Sequence, residues 1–252
     1  MKVRLLVKEY LDNPRMSLAT EEAILKEVVN GRSPPTLWLW RHANAVIIGR
    51  FQLPEEELNM DYVKQKGLII AKRNTGGGAI YQDLGNVIFS VISQDRFNIG
   101  SDYVKMYRTM IGPLVNQLRK KGINAESPGL NDVTVNGRKV MGTAATITKG
   151  VIMFHATLLV KSDIKALASA LKVPVEKLKD KGIESAVHRV TNLYDETGMG
   201  VLETNFTITD SYAETLNFEY KRGDLTNKEI ELAQQLYVEK YNTEEWIFGR
   251  KI

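Results

Sequence analysis

The dipeptide Asn136-Gly137, set between the β-type runs 133–135 and 139–148, constrains this chain more than any other feature. Asn-Gly tolerates positive φ at both central residues, which a two-residue hairpin requires. A second break, Lys149-Gly150, leads into 151–160 and predicts a third strand of the same meander. Consecutive strands here are antiparallel, which excludes a doubly wound sheet of strict βαβ units. Further strands are predicted at 3–10, 36–40, 45–48, 68–72, 79–81 and 86–92. Helices are predicted over 18–30 with Ser17 as N-cap, and over 61–66, 102–121, 163–171 and 174–180. The capping box Thr226-Asn227-Lys228-Glu229 opens another, running to about 240. The expected class is mixed α/β (α+β), a largely antiparallel sheet flanked by helices, with 1–252 as a single domain.

Composition narrows the chemistry. Cysteine is absent, so disulfides, thiolate metal sites and a cysteine nucleophile are excluded. The three histidines, His42, His155 and His188, have no paired spacing, which argues against zinc. No signal-peptide pattern and no run of membrane-spanning length occurs, so a cytoplasmic protein without membrane attachment is expected. The net charge of +4 is mild and the bases are spread along the chain, so no nucleic-acid partner is expected.

Arg73-Asn74-Thr75-Gly76-Gly77-Gly78 is the first candidate for chemistry. Three consecutive glycines are costly in chain entropy and mark a backbone that bends sharply or approaches something closely. No Gly-Lys-Ser/Thr follows, and the next element is a strand, so neither a P-loop nor a dinucleotide fingerprint fits. An anion-binding nest remains, with Lys72 and Arg73 as its positive charge; a tight hairpin with incidental bases explains the spacing equally well. Lys139 follows the Asn-Gly turn and precedes Val140-Met141-Gly142-Thr143-Ala144-Ala145. Small residues on a strand leave room for an elongated ligand, and an ammonium there can hold a carboxylate and stabilise charge on a mixed anhydride. A hairpin lysine is more often a solvated surface group. Asp132, beside Asn131, offers a carboxylate for Mg²⁺ or an Asx turn. His155 reads as a core histidine, and Trp38 and Trp40 as core or as walls of an apolar tunnel.

Taken together, these residues resemble the lipoate–protein ligase A family, within the wider group of biotin and lipoate ligases. The likeness runs from Arg73 through Asn86, then Asn131-Asp132, then Arg138-Lys139-Val140-Met141-Gly142 and His155-Ala156-Thr157-Leu158-Leu159. It continues through Lys181-Gly182-Ile183, Arg189-Val190-Thr191-Asn192-Leu193 and Glu245-Trp246-Ile247-Phe248-Gly249. The resemblance implies a catalytic domain like that of class II synthetases. It also implies a two-step reaction: lipoate and ATP with Mg²⁺ give lipoyl-AMP, and a carrier lysine then takes the lipoyl group. By the same resemblance Arg73, Gly76, Gly77, Gly78, Ala79, Ile80, Tyr81, Asn86 and Lys139 bind ATP or lipoyl-AMP. Lys139, Gly142 and His155 bind lipoate, and Lys139 is the catalytic residue. The implied carriers are apo lipoyl domains of 2-oxoacid dehydrogenases or the glycine cleavage H protein.

Two departures stand out. Gln82 occupies a place where the family commonly carries histidine, and glutamine cannot become cationic. Single-chain ligases continue into an accessory C-terminal domain after the Trp-x-Phe-Gly element, whereas this chain stops at Ile252. The expectation is a split form that needs a separate accessory subunit for adenylation. The related octanoyltransferases carry the acyl chain on a cysteine, which disfavours that activity here. A non-catalytic lipoate- or carrier-binding homologue is the reading from another class.

Overall fold

The computed structural model describes residues 1–172 and 189–249. The strands are β1 (Lys2–Val7), β2 (Thr36–Trp40), β3 (Ala45–Ile48), β4 (Ile69–Lys72), β5 (Ile80–Gln82), β6 (Asn86–Gln94), β7 (Ala125–Glu126), β8 (Asp132–Val135), β9 (Arg138–Thr148), β10 (Val151–Leu159) and β11 (Glu219–Arg222). The helices are α1 (Pro14–Val29), α2 (Pro54–Glu57), α3 (Met60–Lys66), α4 (Tyr103–Lys120), α5 (Ile164–Ala170), α6 (Leu193–Thr197), α7 (Val201–Leu216), α8 (Asn227–Leu236) and α9 (Glu244–Phe248). A π turn, Tyr237–Tyr241, joins the last two.

Eight strands form the main sheet in the order β11-β1-β2-β6-β10-β9-β8-β7. Both turns of the meander have the predicted geometry. Asn136 and Gly137 take φ of 51° and 78°, and Lys149 and Gly150 take 47° and 74°. Only β1 pairs in parallel, with β2 and β11; every other pairing in this sheet is antiparallel. A smaller sheet, β4-β3-β5, lies on one face. The expected mixed, largely antiparallel architecture is the one observed.

Alternation along β2 divides the interior. Leu37 and Leu39 join Phe89, Val91 and Phe154 on the side of α4 and α7, where Met110, Leu114, Ile208 and Tyr212 meet them. Trp38 and Trp40 face the other side, where α1 and the small sheet pack against Ile88 and Ile92. Period-2 patterning therefore gives one sheet two apolar faces, each covered by its own layer.

Several local readings shift. The N-cap of α1 is Asn13, whose side chain accepts from the Met16 N–H, with Pro14 in the first turn. Ser17, the expected cap, lies buried within the helix. The sequence reading contained neither α7 nor β11. The α7 segment VLETNFTITDSYAETL is rich in β-branched residues that weaken a helical pattern, and EYKR in β11 lacks apolar alternation. The predicted helix at 174–180 lies outside the described residues, as does His188. Among the described residues, no helix is long and apolar enough to cross a membrane.

A buried ion pair ties the C-terminal part to the sheet. Arg4 on β1 donates two hydrogen bonds to the Glu229 carboxylate, at 2.7 and 2.6 Å. The same carboxylate closes the α8 capping box by accepting from the Thr226 N–H at 2.7 Å. Removing one partner strands a charge with no access to water, so Glu229→Ala or Arg4→Ala is expected to cost about 3–5 kcal/mol in urea unfolding. Replacing both with well-packed apolar residues should recover most of that loss.

Candidate functional site

A pocket opens between the main sheet, the small sheet and α1. Leu18, Trp40, Ile47, Ile80 and Ile88 form its apolar walls, and Gly77, Gly78, Lys139, Gly142, Thr157 and His155 complete it. Trp38 stacks behind Trp40 with ring centroids 4.7 Å apart. Trp40 is thus wall and Trp38 is core.

The glycine loop links β4 to β5 and is held from beneath. Arg73, 4% exposed, donates through Nη2 to the carbonyls of Gly76 and Gly78 at 2.7 and 2.8 Å. Its Nε–H also reaches the Gly76 carbonyl, at 3.1 Å. Burial lowers its pKa to about 10, which leaves it cationic at neutral pH. Arg73 therefore sets the shape of the loop from within. Gly77 sits at φ 91°, in the left-handed region, and the Arg73 guanidinium would lie 3.0 Å from any Cβ there. The Gly77 carbonyl packs so close to Gly49 that a Cβ on Gly49 would fall 2.1 Å from its oxygen. Lys72 is fully buried and donates to the Gly249 carbonyl at 2.8 Å, while the Trp246 indole donates to the Lys72 carbonyl. The C-terminal Trp-x-Phe-Gly element is thus clasped to the strand that leads into the loop.

Lys139 reaches the pocket because of a β-bulge. Asp132 pairs with Gly142 and Val133 with Met141, but Thr134 pairs with Lys139, so Val140 is the extra residue on β9. On a regular strand, residues three apart face opposite sides. Here Val140 and Met141 both point into the core shared with α4, while Lys139 and Gly142 share the pocket side. Lys139 lies over Gly142, its Cε and Nζ both 3.4 Å from where a Cβ would be. Its ammonium pairs with Asp132 at 2.8 Å, with both side chains partly exposed. The backbone N–H of Thr191 donates to the Lys139 carbonyl, placing the stretch after the undescribed segment beside it.

A polar network closes the inner end. His155 Nδ1 lies 2.9 Å from the Glu21 carboxylate, and Nε2 lies 2.8 Å from the Thr75 hydroxyl. Ser90 donates to Glu21 and accepts from the Trp40 indole. His155 is therefore a pocket residue held in a fixed orientation, more than the core histidine its strand suggests. Glu21 sits inside a helix and carried no sequence signal; only the fold brings it to a histidine 134 positions away.

Two residues further along β10 on the same face, the Thr157 hydroxyl accepts from the Gln82 amide nitrogen at 2.9 Å, and the Gln82 amide oxygen lies 2.7 Å from His42 Nδ1. His42 is fully buried, and that burial drives its pKa from 6.5 down to about 4. The unfolded chain takes up a proton near pH 6.5 that the folded chain refuses until about 4. Stability is therefore whole above pH 6.5 and falls as the pH drops toward 4, by about 3 kcal/mol in all. Urea unfolding at pH 7 and 4.5 should show a smaller acid loss in His42→Phe than in the wild type.

The remaining candidates sit further out. Tyr81 is buried on the side of β5 away from Ile80 and Gln82. Asn86 is fully buried, accepts from the Asp83 N–H and makes the turn into β6. Gly76 and Ala79 flank the loop, and Ala79 touches the pocket. Among the described residues, no group of three or more His, Asp or Glu side chains is arranged to hold a metal by itself.

The pocket is apolar along its walls, polar at its inner end, opened by the glycine loop and rimmed by Lys139. The family model for the lipoyl protein ligase A/B catalytic domain matches residues 13–216. The chain belongs to this family. It is similar to the bipartite lipoate protein ligase of Thermoplasma acidophilum, studied with its E2 lipoyl domain, at 40% identity and TM-score 0.91, covering 100% of this chain and 98% of that one. It is similar to lipoate-protein ligase A bound with ATP, at 38% identity and TM-score 0.88, with both chains covered in full. A T. acidophilum protein with bound lipoic acid is 36% identical with a TM-score of 0.88, and 99% of each chain is covered.

Proposed function

We propose that this chain activates lipoate with ATP to lipoyl-AMP and transfers the lipoyl group to a lysine of an apo lipoyl domain. The observation that carries the reading is the bulge at Val140, which turns Lys139 into the mouth of an apolar pocket beside the glycine loop. In this reading the lipoyl chain lies along Leu18, Ile47 and Ile88, with its ring toward His155. The Gly77–Gly78 backbone, shaped by Arg73, receives the nucleotide phosphates. Lys139 bridges the acyl carbonyl and the α-phosphate, stabilising negative charge as the anhydride forms and as it is cleaved. No enzyme nucleophile is needed, because the adenylate is already activated.

Mg²⁺ commonly takes one or two carboxylates together with substrate phosphates. The partly exposed Asp132 carboxylate beside Lys139 fits that donor set, and a metal held there would offset phosphate charge. The bound ligands named for the similar structures, ATP and lipoic acid, support the choice of substrates. The bipartite relative and its E2 lipoyl domain support a lipoyl-domain carrier and a separate accessory subunit for adenylation. Both reactants and carrier fit a cytoplasmic setting.

The test is lipoylation of an apo lipoyl domain from lipoate plus ATP, run beside transfer from preformed lipoyl-AMP. Transfer from lipoyl-AMP alone supports a module that needs its partner to adenylate. Normal adenylation by this chain alone would remove the accessory subunit from the reading. Activity in neither assay, with lipoate still bound, would leave a binding protein.

A further inference from the structure

The geometry points to His42 as a positioning residue that fixes which way the Gln82 carboxamide faces, so that Gln82 and Thr157 present hydrogen-bond donors to an acyl carbonyl held at Lys139. This rests on the ligase reading above. A glutamine amide can face either way, and the tautomer of the imidazole beside it decides which. In the structure the Gln82 amide oxygen faces His42 Nδ1 at 2.7 Å, and because an amide oxygen only accepts, the ring in this arrangement carries its proton on Nδ1. The other ring nitrogen, Nε2, is then a bare acceptor, buried and without a partner. A buried polar atom left unpaired calls for an explanation. Anchoring Gln82 supplies one, because the ring accepts an orphan lone pair in order to hold the amide oxygen away from the pocket.

The amide nitrogen therefore turns toward Thr157 and donates to its hydroxyl oxygen. That leaves the second Gln82 N–H and the Thr157 O–H as donors, with both residues lining the pocket. Thr157 pairs directly with Gly142 across β10 and β9, and Lys139 lies over Gly142. Neighbouring strands are about 4.8 Å apart, so neutral donors and the ammonium flank the same point of the pocket. A carbonyl oxygen there meets donors from both sides. With the amide reversed, Gln82 Oε1 would face that oxygen and oppose the charge growing on it. Position 82 thus acts as a neutral donor, with its imidazole support one layer behind at position 42.

Three measurements decide this. In the full chain at pH 7, ¹⁵N NMR should show His42 protonated on Nδ1, the signal being assigned by its loss in His42→Phe. In transfer from lipoyl-AMP to an apo lipoyl domain, His42→Phe should lower kcat by about tenfold, less than the loss of a direct oxyanion donor. KM for lipoyl-AMP should stay within about twofold, and His42→Asn, which keeps a donor, should recover part of the rate. Finally, the double variant His42→Phe with Gln82→Met should be no slower than Gln82→Met alone, since His42 acts through Gln82. An Nε2-protonated ring, losses that multiply in the double variant, or a change in KM alone would overturn the proposal. A wild-type chain that transfers nothing removes the ligase reading and the acyl role together, and the ring tautomer still reports the orientation of Gln82.

Discussion

Lys139→Ala is expected to slow lipoyl transfer from lipoyl-AMP by about two to three orders of magnitude, the range for removing one oxyanion-stabilising group. Stability should barely change. The Lys139–Asp132 pair is partly exposed, and such pairs contribute about 0–1 kcal/mol. The variant thus separates catalysis from folding: kcat falls while the unfolding midpoint holds. Lys139→Arg should not restore the rate. The ammonium lies only 3.4 Å from the empty Cβ position of Gly142, and a planar guanidinium needs more room and a different approach. Single-turnover transfer by both variants is the measurement. A loss of only a few fold in Lys139→Ala would mean that the bulge delivers this lysine for some purpose other than charge stabilisation.

What the sequence discloses and what it conceals divide along physical lines. The meander was legible because turn chemistry is local: Asn136-Gly137 and Lys149-Gly150 declare their backbone angles through residue type. The glycine loop was legible as an oddity for the same reason. Its support was not, since Gly49 and Gly77 meet only when β3 lies beside the loop. Taken alone, Lys139 suited a solvated hairpin lysine and only the resemblance gave it a role; the bulge at Val140 that brings it to the side of Gly142 depends on the register with β8. Arg73 announced itself as positive charge, yet its N–H groups are engaged with the carbonyls of its own loop. Glu21 and His42 were concealed most fully. Each acts through a partner far along the chain, Glu21 on His155 and His42 on Gln82. Long-range pairing is what a single sequence does not display.

Gly49→Ala is expected to damage the site severely through a single added methyl group. Gly49 needs no left-handed backbone, so the substitution is not strained in φ, and the whole effect comes from collision. The new Cβ would stand 2.1 Å from the Gly77 carbonyl oxygen and 3.2 Å from the Arg73 guanidinium. The oxygen belongs to backbone, so relief requires the loop to move by about 1 Å, and a displacement of that size commonly costs about 10²-fold in rate. The clash and the disturbed Arg73 hydrogen bonds should also lower stability by about 1–3 kcal/mol. Gly112→Ala is the matched control. It lies inside α4 with no tertiary neighbour within 4 Å of its Cβ position, and there alanine should leave the transfer rate unchanged. Transfer rates from lipoyl-AMP and urea unfolding of both variants provide the comparison. If Gly49→Ala transfers at the wild-type rate, the glycine loop does not hold the adenylate, and Lys139 would have to work against a nucleotide bound elsewhere.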